Sequence, residues 1–113
     1  MAEHIKGCKV LLTKGAEQDL ESIYDYVAEF DSPQSASTLL DRISGELGGL
    51  AHLPHCGSSP PELVPLGIHD YRQVFLKPYR IIYRVLDAVL VIYVIADGRR
   101  DTQALLQRRL LGR

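Results

Sequence analysis

The side chains best suited to chemistry in this 113-residue chain are its arginines, because they fall at regular spacing in apolar segments. Tyr79-Arg80-Ile81-Ile82-Tyr83-Arg84-Val85-Leu86 reads as a strand. Its period of two puts Arg80, Ile82, Arg84 and Leu86 on one face and Tyr79, Ile81, Tyr83 and Val85 on the other. In the preceding strand, Tyr71 to Leu76, Arg72 alternates with Val74 and Leu76. A guanidinium is a fixed fork of donors with a permanent charge. Cations separated by aliphatic positions therefore suit a phosphate backbone or an acidic amphipathic peptide laid across the sheet. The competing use of Arg80 and Arg84 is in ion pairs with the chain's own acids, such as Asp97 or Asp101. Burying two arginines is costly, so the Tyr/Ile/Val face is expected to meet the core and the Arg80/Arg84 face to stay half-exposed.

Other constellations are weaker. His52, His55 and Cys56, with Cys8 or His4, carry metal-ligating atoms, but their spacings match no standard zinc pattern, and neither metal nor cofactor is expected. The sequence contains no glycine-rich phosphate loop, no Gly-x-Ser-x-Gly elbow and no His-Glu-x-x-His. Glu17, Glu21 and Asp25 form a helix-face series that is most simply solvated.

Seven elements must position these residues. Lys9-Val-Leu-Leu-Thr13 predicts a first strand. From Ala16 the period lengthens: Ala16, Leu20, Ile23, Tyr24 and Val27 form one helical face, and Glu17, Asp19, Glu21 and Asp25 the other. Ser32 can cap a second helix with Pro33 in its first turn, whose stripe is Ala36, Leu39, Leu40, Ile43, Leu47 and Leu50. The short connection predicts an antiparallel helical hairpin. Gly45, Gly48 and Gly49 predict either early fraying of its second helix, the favoured reading, or a close approach of another backbone there. A punctuated connection, His52 to Asp70, leads into strands Tyr71–Leu76, Tyr79–Leu86 and Val89–Ala96. The last is apolar throughout and should be central, with both faces covered. Asp101 or Thr102 is placed to cap a short final helix bearing Leu105, Leu106, Leu110 and Leu111. The order β-α-α-β-β-β-α implies one α+β domain over residues 1–113, a helical hairpin packed on a small, mainly antiparallel sheet.

The formal charge of −1 hides a strong asymmetry. Residues 1–63 carry four bases against ten acids, a net of −6, whereas residues 64–113 carry nine bases against four acids, a net of +5. Such a field steers partners even when the sum is near zero. Two cysteines make no disulfide framework, no apolar run approaches the ~20 residues that span a bilayer, and Met1 is not followed by an apolar export segment. A cytoplasmic protein with no membrane partner is expected.

From about Val10 to Leu111 the chain resembles the ParE/RelE superfamily of toxins from bacterial type II toxin–antitoxin modules, closest to the ParE branch. The landmarks are Leu12-Thr13 with Ala16, Asp19-Leu20, Ile23 and Tyr26; Glu62-Leu63, Leu66-Gly67-Ile68 and Tyr71-Arg72; Lys77-Pro78-Tyr79-Arg80-Ile81-Ile82-Tyr83-Arg84-Val85; and Asp97-Gly98-Arg99-Arg100-Asp101. The resemblance implies a β-α-α-β-β-β core and one of two activities. RelE-like members are ribosome-dependent mRNA endoribonucleases, and Arg72, Arg80 and Arg84 would here hold the scissile phosphate. Such members often place a Tyr or His near the C-terminus for proton transfer. This chain has no His after His69, and its last Tyr is Tyr93. ParE-like members are non-catalytic poisons of DNA gyrase that block replication, and that is the activity expected. The implied partners are gyrase and a ParD-like antitoxin, joined with the toxin in a hetero-oligomer of the kind that stabilises plasmids. An acidic antitoxin segment would lie in the groove between hairpin and sheet. Arg72, Arg80, Arg84 and Tyr83 are the expected antitoxin contacts, and Arg99, Arg100, Arg108 and Arg109 the expected target contacts. The alternatives are the ribonuclease and a member whose toxicity has decayed.

Overall fold

The structure, a computed structural model, describes residues 8–98 and 102–111. Strand β1 (Lys9–Leu12) leads into helices α1 (Lys14–Phe30) and α2 (Pro33–His52), strands β2 (Tyr71–Leu76), β3 (Tyr79–Leu86) and β4 (Val89–Asp97), and helix α3 (Gln103–Leu111). The expected element order and α+β class hold. α1 starts two residues before the apolar period does, because Thr13 caps it by accepting the Ala16 N–H at 3.1 Å. Ser32 caps α2 as expected, accepting the Ser35 N–H at 2.9 Å, with Pro33 in the first turn. The expected fraying of α2 does not occur. The helix runs to His52, since Gly45, Gly48 and Gly49 face open space while Leu47 and Leu50 on the inner stripe anchor the last turns.

The four strands lie in the order β1-β4-β3-β2. β2, β3 and β4 form an antiparallel meander, and β1 joins β4 in parallel through the register Lys9↔Val89 to Leu12↔Ile92. The sheet is therefore mixed rather than purely antiparallel. β4 is internal and covered on both faces, as its apolar sequence requires. Leu90, Ile92 and Ile95 face the hairpin, packing with Ala16, Leu50, Ile81 and Tyr83, with Leu20, Ile23, Leu47 and Val85 around them. Val94 and Ala96 face the opposite side, where Leu63, Tyr71, Ile82 and Leu106 form a second core. The strand changes face through a register shift opposite Ile82/Tyr83, which puts Tyr93 and Val94 on the same side.

The connection after α2 is pinned to β2 and β3 rather than loose. Ser58 pairs with Gln73 through both backbone groups, at 3.0 and 2.7 Å, and so covers part of the outer edge of β2. The Tyr83 hydroxyl donates to the Pro54 carbonyl at 2.8 Å and accepts the Gly57 N–H at 3.1 Å. Gly57 is there because nothing larger fits. A Cβ would come within 2.6 Å of the Tyr83 hydroxyl and 2.7 Å of the Gln73 carbonyl. Gly57→Ala is expected to lower unfolding free energy in urea by about 2 kcal/mol through overpacking. Gly48→Ala, in open space on a helix, should raise it by about 0.5–1 kcal/mol.

Candidate functional site

The strand arginines do not form one face. Register pairs Arg72 with Tyr83 and Tyr71 with Arg84, so Arg72 lies on the hairpin side while Arg80 and Arg84 lie on the opposite, outer side. Arg72 is half-buried and turns to the connecting segment, donating to the carbonyls of His55 at 3.1 Å and Gly57 at 2.9 Å.

Arg80 is the largest departure from expectation. It is only 6 % exposed, not half-exposed. Its Nε–H donates to Gln73 Oε1 at 3.1 Å, and Nη2 reaches the same oxygen. Nη1 and Nη2 grip the Glu62 carboxylate at 2.6 and 2.8 Å, and Nη1 also donates to the Thr102 hydroxyl at 2.7 Å. Thr102 in turn donates to Glu62 Oε2 at 2.7 Å. All five N–H donors of Arg80 are thereby used inside the protein. The hydrogen bond from Arg80 holds the Glu62 carboxyl at about 2, against an ordinary 4.5; burial opposes this and Thr102 assists it. The expected competition from the chain's own acids was therefore the correct reading for Arg80, with Glu62 as the acid. Period-two spacing could not reveal this. The signal was Glu62 itself, an acid beside Leu63 in a connection that folds over the outer face.

Tyr83 is likewise corrected as an antitoxin contact. It is 0 % exposed within the main core, and burial pushes its hydroxyl pKa up. Arg84 stays half-exposed, with its guanidinium carbon 5.4 Å from the Tyr71 ring centroid; Tyr71 meets Tyr93 edge-on at 5.3 Å. The main core fills most of the space between hairpin and sheet, but a cleft of about 430 Å³ stays open where α1 meets β3, β4 and α3, with Asp19, Ile23, Tyr26, Tyr79, Ile95 and Arg109 in its lining. A second open cleft, of about 480 Å³, runs between α1 and α2, lined by Leu20, Tyr24 and Leu40 with Glu17, Glu21 and Asp25. Its acids repel an acidic segment.

Near the C-terminus, Arg108 is exposed in the last turn of α3, whereas Arg109 is drawn inward to Asp19 of α1. Asp19 is thus not on the solvated side of α1. Its position three residues after Ala16 and four before Ile23 lies within the apolar stripe, which was the available signal. Arg99, Arg100 and Asp101 lie outside the described residues. Thr102 stands next to the start of α3, as a cap would, with its hydroxyl bonded to Arg80 and Glu62. Among the described residues, no three His, Cys, Asp or Glu side chains converge as a metal ion would require. No helix among them is long and apolar enough to cross a membrane.

The geometry invites comparison with known proteins. A family model described as the ParE toxin of the type II toxin–antitoxin system, parDE, matches residues 10–102. Toxin ParE3 of Caulobacter vibrioides is 29 % identical over 101 residues, covering 89 % of this chain and 97 % of that protein. Among solved structures, the chromosomal ParDE system from P. aeruginosa superposes with a TM-score of 0.66 at 22 % identity, covering 80 % of this chain and 95 % of that one. The RelBE2 toxin–antitoxin complex from Mycobacterium tuberculosis gives 0.56 at 18 % identity, covering 80 % and 98 %. At those identities the structural likenesses establish the fold.

The Glu62–Arg80 pair sets a pH dependence. A depressed carboxyl pKa contributes stability that is fully present above about 4.5 and is lost as pH falls towards about 2. Glu62→Gln should flatten the stability profile across that window. It should also cost about 3 kcal/mol at pH 7 by leaving the Arg80 charge without its counter-ion, as read by denaturant unfolding at a series of pH values.

Proposed function

This chain belongs to the ParE toxin family of type II toxin–antitoxin systems, and on that premise we propose that it inhibits DNA gyrase, and so replication, as a binding protein rather than a catalyst. It acts in the cytoplasm and is neutralised in a hetero-oligomer with a ParD-like antitoxin. The observation that carries the non-catalytic reading is the dispersal of the three arginines a ribonuclease would need. Arg72 faces the hairpin side and serves loop carbonyls. Arg80 has every donor occupied by Gln73, Glu62 and Thr102. Only Arg84 remains half-exposed on the outer face, and one guanidinium cannot both grip a phosphate and move protons at neutral pH.

The partner contacts follow from exposure. Arg84, at the rim of the outer sheet face, is the antitoxin contact, suited to an acidic segment. Arg108, exposed near the C-terminal end of α3, is a target contact. Arg99 and Arg100, which precede α3 in sequence, are further proposed target contacts.

Two measurements test this reading. Antitoxin-free protein, added to a gyrase supercoiling and DNA-cleavage assay and in parallel to a translating-ribosome mRNA assay, should inhibit gyrase and leave mRNA intact. Untouched gyrase with cut mRNA would reverse the assignment. Arg84→Ala should weaken antitoxin binding by about tenfold in titration calorimetry, the scale of one charged contact at an interface.

A further inference from the structure

β1 accompanies β4 only as far as Leu12↔Ile92, after which the Thr13 N–H bonds the Ile92 carbonyl at 3.0 Å and the chain turns away into α1. Among the described residues, Tyr93 to Ala96 of β4 therefore have no strand on that side. An unpaired strand edge leaves donors and acceptors that must be satisfied. Two side chains from different helices meet two of them. Asp19 Oδ2 accepts the Ile95 N–H at 3.0 Å, and Arg109 Nη1 donates to the Tyr93 carbonyl at 3.1 Å. Acceptor and donor together are what a neighbouring strand would supply. Asp19 and Arg109 also bind each other through both carboxylate oxygens, Nη1 to Oδ2 at 3.1 Å and Nη2 to Oδ1. Their side chains are 15 % and 26 % exposed.

The guanidinium lies close over the start of α1: a Cβ on Gly15 would come within 2.9 Å of Arg109 Nη1 and 3.2 Å of its Cζ. α3 itself has nine residues, well below the ~12 at which an isolated helix becomes even marginal in water. Its orientation therefore depends on tertiary anchors. Leu105, Leu106 and Leu110 supply apolar contact with the second core but little directional restraint.

We propose that Asp19 and Arg109 are positioning residues for toxin action. Their ion pair substitutes for the missing strand on β4, fixes α3 against the sheet and thereby sets the direction in which Arg108 meets the target. Arg108 is exposed and immediately precedes Arg109, so one helical step of about 100° from the anchored Arg109 fixes where it projects. The inference rests on the target-contact role given to Arg108 above, and it moves Arg109 from contact to support.

The test uses the full chain with Asp19→Asn, Arg109→Leu, the Asp19→Asn/Arg109→Leu pair, and Arg108→Ala. Two readouts are taken: amide hydrogen exchange of residues 103–111, and growth arrest on induction without antitoxin. Asn keeps an acceptor for the Ile95 N–H, so Asp19→Asn tests the charge pair without opening the strand edge. Asp19→Asn should accelerate exchange in α3 by about tenfold and weaken arrest, and the double variant should go no further than Arg109→Leu alone. Arg108→Ala should weaken arrest with α3 protection unchanged. Multiplicative effects in the double variant, or arrest lost in Arg109→Leu while α3 stays protected, would overturn the proposal and return Arg109 to the contact surface. Growth arrest is read without regard to target. A chain that arrests cells but spares purified gyrase therefore defeats the gyrase reading and not the positioning of α3.

Discussion

The outer half of this molecule is organised around one buried cation. Arg80 sits on the sheet face that α3 and the β2-proximal connection cover, 6 % exposed, where an unpaired charge would be severely destabilising. Its five donors must be met, and no single element can meet them. Glu62 comes from the long connection, Gln73 from β2 and Thr102 from the lead into α3. One guanidinium thus ties together segments up to forty residues apart in the chain. Around it close the apolar residues of the second core, Leu63, Ile82, Val94, Ala96 and Leu106. Hydrophobic burial favours covering that face, but it is non-directional. The arginine cluster supplies the register.

Strand edges impose the second constraint. A four-stranded sheet whose first strand has only four residues leaves edge on both sides. On β2 the Ser58 backbone takes up the groups of Gln73; on the far half of β4 the Asp19–Arg109 pair does so with side chains. Both devices prevent open-ended pairing with another chain. Both also recruit something that would otherwise be mobile, a connection in one case and a nine-residue helix in the other.

The same residue type therefore does four different things according to where the fold puts it. Arg80 is a buried organiser, Arg72 holds loop carbonyls and Arg109 seals an edge. Arg84 and Arg108 keep exposure enough to meet partners. The sequence opposes an acidic N-terminal half to an arginine-rich C-terminal half, but part of the basic half is neutralised internally by Glu62 and Asp19, acids of the N-terminal half. The charge split describes how the halves attach to each other as much as what they offer to a partner.

Element order, helix starts and the hairpin were legible because they depend on local chemistry. Ser32-Pro33 caps α2 wherever it sits, and the period of Ile81, Tyr83 and Val85 marks the face that takes the helices. Gly45, Gly48 and Gly49 misled because propensity is weak against the packing of Leu47 and Leu50 one turn away. The family, too, was legible, carried by Tyr-Arg-Ile-Ile-Tyr-Arg and its flanking segments. The fate of each arginine was not. Alternation assigns a side chain to a face, yet it cannot say that the face will be covered, because the cover comes from Leu63 and Leu106, distant in sequence. By itself, then, the sequence determined the elements, their order and the family. Only the tertiary structure decided which cations are internal and which are exposed, since burial and ion pairing are properties of segments brought together and not of any segment alone.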